Sequence, residues 1–298
     1  MVPTVYIIAG PTAVGKTGIA IALAQHLGTD IVSADSRQCY QEMSIGTAKP
    51  SPEELLAVKH YFINDFPVTA ALSAAGYELL ALKYLEEIFK THSSAVVCGG
   101  TGLYIKALCD GLDEMPQTDS EIAAAVEADY KTHGIEWLRD AVMKEDPAFY
   151  SQGEIYNPAR LLRALSFIRT TGSSIIDYRT QKKKSRDFRT IKIGLELPRE
   201  KLYSRINRRV DIMIEEGLLA EVAQLFPYRY LKNLQTVGYT ELFDYMENKY
   251  SLTEAMNKIK QHTRNYAKRQ MTWFKKDEEI TWLQADGEKS IEKILSIK

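Results

Sequence analysis

The sequence predicts an α/β fold, a parallel sheet flanked by helices, interrupted by an all-helical insertion. Three observations carry that expectation. Short apolar runs alternate with helical periodicity from Val5 to about residue 112. The first run feeds a Gly-rich loop that opens a helix. Over 113–189 no clear strand pattern is present, and one returns at Ile191–Leu197. With 298 residues and 45% apolar content, the chain can bury one large core, or a core plus a smaller module.

Val5–Ala9 is a continuous apolar run of strand length, and Gly18–Leu27 has helical periodicity that Gly28 is placed to stop. Ile31–Ser33 reads as the next strand, so Asp35 should emerge at its carboxyl end, where ligands bind in parallel sheets. Leu72–Lys90 is a long amphipathic helix, and Ala95–Cys98 is a buried strand that runs into Gly99-Gly100-Thr101-Gly102. Charged helical stretches follow at Ser120–His133, Ile135–Lys144 and Asn157–Thr170. After the returning strand the expected helices are Arg199–Phe226, Gly238–Asn248 and Leu252–Lys275, before a last strand at Ile280–Leu283. The expected division is thus a catalytic core of residues 1–112 and 190–298 and a helical insertion of residues 113–189.

The loop after the first strand is Gly10-Pro11-Thr12-Ala13-Val14-Gly15-Lys16-Thr17, a full GxxxxGKT. Such a loop points backbone N–H groups at phosphate oxygens, its lysine neutralises them, and its threonine hydroxyl can ligate Mg²⁺. A Gly-rich turn that merely starts a helix explains less, because the motif both follows a strand and opens a helix. The core is therefore expected to be P-loop NTPase-like. The motif identifies a diphosphate group without specifying ATP. Many P-loop enzymes place a metal-holding Asp at the end of an apolar strand, and here the strand at Ala95–Cys98 ends in two glycines. That counts against an ATP-driven motor or switch.

Asp35 is expected beside the bound phosphates, with Ser36, Arg37 and Gln38 at the same mouth. An Asp after a strand often only caps the next turn. Beside a diphosphate it can instead help hold metal or act as a general base toward a nucleophile. Arg37 and Gln38 favour the second role, since both side chains can hydrogen-bond the edges of a nucleobase.

Other features bound the function. The net charge of −1 means that a polyanionic partner must be met by local basic patches. Cys39, Cys98 and Cys109 form neither a disulfide framework nor a metal spacing, and read as reduced thiols of a cytoplasmic protein. His60, His92, His133 and His262 have no metal spacing either. Val5–Ala9 is too short for a signal sequence or a membrane span, so no membrane partner is expected.

Seven segments taken together resemble the tRNA dimethylallyltransferases, also called tRNA isopentenyltransferases. They are Gly10–Thr17, Ser33–Gln38, Ile45–Pro50, Gly99–Tyr104, Asn157–Leu165, Arg205–Asp211 and Ala267–Phe274, in the family's order over nearly the whole chain. The resemblance implies transfer of a dimethylallyl group from its diphosphate to N6 of the adenosine 3′ of the anticodon, with Mg²⁺ as cofactor. It implies that Gly10–Thr17 hold the diphosphate, with Lys16 catalytic and Thr17 on the metal. Arg209 becomes a further diphosphate ligand, with Arg205 the competing choice. Asp35 would take the N6 proton, and Thr101 would sit in the reaction channel. The tRNA anticodon stem-loop would be met by Asp35, Ser36, Arg37, Gln38, Thr101, Arg160, Arg163, Arg264, Lys268 and Arg269. Ala159 and Ser166 stand where many relatives have Gln and Glu, so two polar contacts of that helix are not carried over. A monomer is expected.

Two basic segments fit an RNA partner. Arg179, Lys182, Lys183, Lys184, Arg186, Arg189 and Lys192 face the single acid Asp187, at the return from the insertion. Arg264, Lys268, Arg269 and Lys275 form a stripe on the last long helix, whose Tyr266, Trp273 and Phe274 read as core. Three rival functions account for less of the sequence. A small-molecule kinase leaves the other motifs without a role. A prenyltransferase acting on free adenine nucleotides needs no helical arm, and a non-catalytic RNA-binding module leaves the diphosphate loop unexplained.

Overall fold

The computed structural model describes residues 2–180, 182–285 and 288–297. The strands are β1 (Thr4–Ala9), β2 (Ile31–Ser33), β3 (His60–Tyr61), β4 (Ser94–Gly99), β5 (Arg189–Glu196) and β6 (Thr281–Gln284). They form one six-stranded sheet in the order β3-β2-β4-β1-β5-β6. Every pairing is parallel, with β1 central between β4 and β5.

The apolar runs are continuous because both faces of the sheet are covered. Val5, Ile7, Val32, Ala95 and Val97 face one core, and Ile8, Ile31, Val96 and Ile193 the other. On the second face lies α1 (Lys16–Leu27), closed by Gly28 at φ 60°, whose N–H reaches back to the carbonyls of Ala24 and Gln25. The first face is packed by α3 (Ala74–Phe89), α4 (Gly102–Asp110) and later helices. The sheet's carboxyl edge brings the ends of β1, β2 and β4 side by side.

The chain divides into two compact units, Met1–Asp110 with Ser185–Lys298, and Gly111–Lys184. The second unit is helical: α5 (Ser120–Glu145), α6 (Pro147–Gln152) and α7 (Pro158–Thr171) surround Leu138, Phe149, Leu161 and Leu165. The two helices expected over 120–144 are both present within α5, parted at Gly134, whose φ 78° and ψ −169° lie outside the helical region.

Elsewhere the sequence reading needs correction. The helix expected over 199–226 is two, α8 (Arg199–Glu215) and α9 (Leu218–Leu225), parted at Gly217 with φ 99°. Short α2 (Pro52–Ala57), β3, α6 and α12 (Glu288–Ser296) were not anticipated, being too brief or too irregular to show a period. The helices α10 (Tyr239–Met246) and α11 (Leu252–Phe274) lie where expected. Among the described residues no helix is long and apolar enough to cross a membrane.

The basic run before β5 is partly structural. Arg186 donates to Glu78 at 2.7 Å and to the carbonyls of Ala107 and Leu108, with both charged side chains nearly buried. Lys192 is only 6% exposed and pairs with Asp277 and Glu279 at 2.9 and 2.8 Å. Neither cation is available to RNA. Arg186→Met should therefore destabilise the fold by about 3 kcal/mol in urea denaturation, the cost of breaking a buried ion pair. A loss below about 1 kcal/mol, the value of a surface pair, would contradict this role.

Candidate active site

The Gly-rich loop joins β1 to α1 in a conformation its glycines permit. Gly10 has φ 147° and Gly15 φ 105°, and a Cβ on Gly10 would lie 2.7 Å from the Leu195 carbonyl of the neighbouring β5. Lys16 folds over the loop and donates to the carbonyls of Gly10 at 3.1 Å and Pro11 at 2.8 Å. Burial pushes its pKa down to about 8. An anion arriving at the loop would restore the charge.

A cavity of about 650 Å³ opens against this loop. Thr12, Ala13, Gly15, Lys16 and Thr17 line it, and so do Asp35, Gln38 and Arg209. The loop and the segment after β2 thus bound one space. A second cavity of about 230 Å³ shares Thr12, Asp35 and Arg209 with it and adds Ser36 and Arg37.

Asp35 is held by its own turn. Its Oδ1 accepts from the backbone N–H groups of Arg37 at 2.8 Å and Gln38 at 3.3 Å. Thr101 fixes the same turn, because its Oγ1 accepts from the Ser36 N–H at 3.1 Å and its own N–H donates to the Ala34 carbonyl. Thr101 lines neither of the two cavities. Gln38 donates to the carbonyls of Thr47 and Ala48, so the Ile45–Pro50 segment becomes a second wall. The Glu221 carboxylate anchors that wall by accepting the N–H groups of Ser44, Ile45 and Gly46 at 3.0, 2.7 and 3.0 Å.

The glycines that end β4 have a steric cause. A Cβ on Gly99 would run into the backbone of Ala34, and one on Gly100 into the amide of Gln270. No side chain, acidic or otherwise, can replace hydrogen there without displacing β2 or α11. Cys98 lines the cavity just before them, and burial pushes its thiol up to about 11. It is therefore neutral and a poor nucleophile near neutral pH.

Gln270 is the site residue that sequence reasoning passed over. It is 6% exposed, accepts from the Thr12 N–H at 2.8 Å and donates to the Gly100 carbonyl at 2.9 Å. Ala267, Gln270 and Phe274 share the buried face of α11, so an amide among apolar neighbours was the available signal. Tyr266 and Lys49 also line the large cavity. Of the aromatic residues of α11 expected in the core, Phe274 lies there, but Tyr266 borders both cavities and Trp273 is 41% exposed over Gly102.

The arginines of α8 take different positions. Arg209 lines both cavities with Nη1 3.4 Å from Thr12 Oγ1, while Arg205 donates to the Val14 carbonyl and lines neither. Burial and the neighbouring Arg205 both weigh against the charge of Arg209, which an anion in the cavity would relieve. On α11, Arg264 donates to Asn207 at 2.7 Å, and Lys268 and Arg269 flank Trp273 on an exposed face. Arg160 and Arg163 belong to the helical unit, where Arg160 pairs with Glu154 at 2.9 Å and Arg163 lies 3.6 Å from the Met115 sulfur.

Known proteins share this architecture. A family model described as IPP transferase matches residues 38–277. The chain is 45% identical to tRNA dimethylallyltransferase 1 of Bacteroides thetaiotaomicron, over 99% of this chain and 96% of that protein. It is 46% identical to the tRNA dimethylallyltransferase of Christiangramia forsetii, over 94% and 92%. The crystal structure of the tRNA isopentenylpyrophosphate transferase from Bacillus halodurans superposes with a TM-score of 0.71 at 36% identity, covering 99% of this chain and 94% of that one. A eukaryotic dimethylallyltransferase acting on tRNA gives 0.76 at 25% identity, over 95% and 74%. With a family model spanning most of its length and relatives this similar end to end, the chain belongs to the IPP transferase family of tRNA dimethylallyltransferases.

Proposed function

We propose that this chain transfers a dimethylallyl group from dimethylallyl diphosphate to N6 of the adenosine 3′-adjacent to the anticodon of a tRNA, releasing diphosphate. The observation that carries the reading is the single cavity bounded by both the Gly10–Thr17 loop and Asp35. In this reading the loop amides, Lys16 and Arg209 hold the diphosphate. The adenine amine is a weak nucleophile, because its lone pair is delocalised into the ring. A leaving group neutralised in place and a positioned base together make the reaction feasible.

In the proposed step N6 attacks C1 of the donor as the C1–O bond breaks. The electron pair of that bond leaves with the diphosphate, and the N6 proton passes to Asp35. With Oδ1 occupied by two backbone N–H groups, Oδ2 is the oxygen proposed to accept it. Thr101 acts as a positioning residue, since it holds the turn that aims Asp35. Ser36, Arg37 and Gln38 are assigned to the incoming nucleotide, with Arg160, Arg163, Arg264, Lys268 and Arg269 as phosphate contacts along the stem-loop. A strained single-stranded loop suits the reaction because its base leaves the stack at least cost.

Mg²⁺ is the proposed cofactor. The donor set fits a metal held largely by substrate and water: Thr17 opens α1 at the cavity, and among the described residues no group of three or more His, Cys, Asp or Glu could cage an ion. When bound, the ion would help neutralise the departing diphosphate, and Thr17 is the protein ligand proposed for it.

Incubation with labelled dimethylallyl diphosphate and, separately, labelled ATP tests the assignment, with an unmodified anticodon stem-loop and AMP as acceptors. Prenylated stem-loop is expected; phosphoryl transfer alone, or preference for AMP, would contradict it. Asp35→Ala should lower the single-turnover rate by about 10²-fold or more while leaving diphosphate affinity little changed, and unchanged chemistry would remove Asp35 as the base. Free Lys16 titrates near pH 8, so diphosphate affinity should fall as the pH rises through about 8. Lys16→Met should weaken binding and abolish that pH dependence, and a dependence surviving in the variant would assign it elsewhere. Gln270→Leu should raise the KM for the donor and cost about 2 kcal/mol of stability, since it leaves two groups of the site unpaired; wild-type values for both would contradict its bridging role.

A further inference from the structure

The smaller cavity shares Thr12, Asp35 and Arg209 with the larger one but not Lys16, and part of its lining is apolar. That apolar part is Val210 and Met213 of α8, Val237 and Tyr239 at the start of α10, and Ile259 of α11. Val210 and Ile259 are each 2% exposed, and Tyr239 is fully buried. These side chains pack into the core.

The wall is also stiff. The Tyr239 hydroxyl donates to Glu221 at 2.7 Å, and the same carboxylate accepts the three N–H groups of the Ser44–Gly46 wall. Burial and the Glu221 charge drive the Tyr239 pKa well up, so this hydroxyl keeps its proton. The hydroxyl end of the ring also meets Gly46, where a Cβ would fall 2.6 Å from it. Tyr239 therefore cannot swing aside without breaking a buried hydrogen bond or moving the loop.

We propose that Val237, Tyr239 and Ile259 set the length of the transferred prenyl chain at five carbons. The inference rests on the prenyl-transfer reading above and adds the determinant of donor choice. With the diphosphate at the loop and C1 beside Asp35, the hydrocarbon beyond C1 must leave the polar mouth. The adjoining apolar recess takes it. A geranyl donor reacts by the same bond changes, C1–O broken and N6–C1 formed, but its five additional carbons meet the Tyr239–Ile259 wall. A tight apolar pocket rejects an oversized group by steric overlap more strongly than it rejects an undersized one by lost contact.

The test is competition between dimethylallyl and geranyl diphosphate for one RNA stem-loop, read by mass spectrometry of its nucleosides. Ile259→Ala and Val237→Ala each open the wall, and each should raise the geranyl-to-dimethylallyl ratio of kcat/KM by about 10-fold or more. Ile259→Phe should lower use of both donors. The ratio compares donors on one variant, so a general loss of activity or of fold does not imitate the effect. Should Ile259→Ala not fold, Val237→Ala alone decides. An unchanged ratio in a variant that still transfers dimethylallyl overturns the inference. A raised KM for RNA with an unchanged ratio also overturns it, by assigning the recess to the purine. Absence of dimethylallyl transfer by the unsubstituted chain overturns the functional reading itself, and this inference with it.

Discussion

One buried amide joins the parts of the site. Gln270 accepts the Thr12 N–H of the phosphate loop and donates to the Gly100 carbonyl beyond β4, from a helix far along the chain. These two segments come from adjacent strand ends. A buried amide satisfied at both ends is worth little net, but each group it serves would be costly to leave unpaired. The bridge therefore fixes where α11 sits, and with it Tyr266 at the cavity. Gly100 is part of the same constraint, because only hydrogen leaves room for the Gln270 amide.

The crowding that excludes a side chain at Gly99 and Gly100 also shapes the chemistry. An acidic residue at the end of β4 is the usual support for metal and water in nucleotide hydrolysis, and here the backbone of Ala34 occupies its place. The carboxylate at the cavity comes instead from Asp35 at the end of β2, presented by a turn that Thr101 pins. The Gly-rich loop keeps its form, while the acid beside the cavity stands at the end of β2 and not of β4. In the proposed reading, a site of P-loop form thereby serves a diphosphate leaving group without hydrolysing a nucleotide.

Much of this was legible in the sequence, and the reasons differ by element. β1, β2 and β4 read correctly because both faces of a parallel sheet demand unbroken apolar runs. Asp35 was legible as the residue after a strand that follows a phosphate loop. Gln270 was not, because its partners are set by the tertiary meeting of α11 with two loops. Nor was the fate of the basic run: Arg186 and Lys192 look like their exposed neighbours in sequence and are separated from them only by burial against Glu78, Asp277 and Glu279. Trp273 was misread for the converse reason, since helical period places it near the core but its ring lies over Gly102 and stays 41% exposed.

The central claim is that the loop holds a leaving group whose departure is coupled to attack by the base that Asp35 serves. Single-turnover measurement of diphosphate release and of adenosine prenylation in one reaction tests it most directly. The account predicts equal rate constants and one diphosphate released per prenylated adenosine, with negligible release when RNA is omitted. Diphosphate release at a similar rate without RNA would show that the site hydrolyses its donor, and would contradict the coupling of loop and carboxylate.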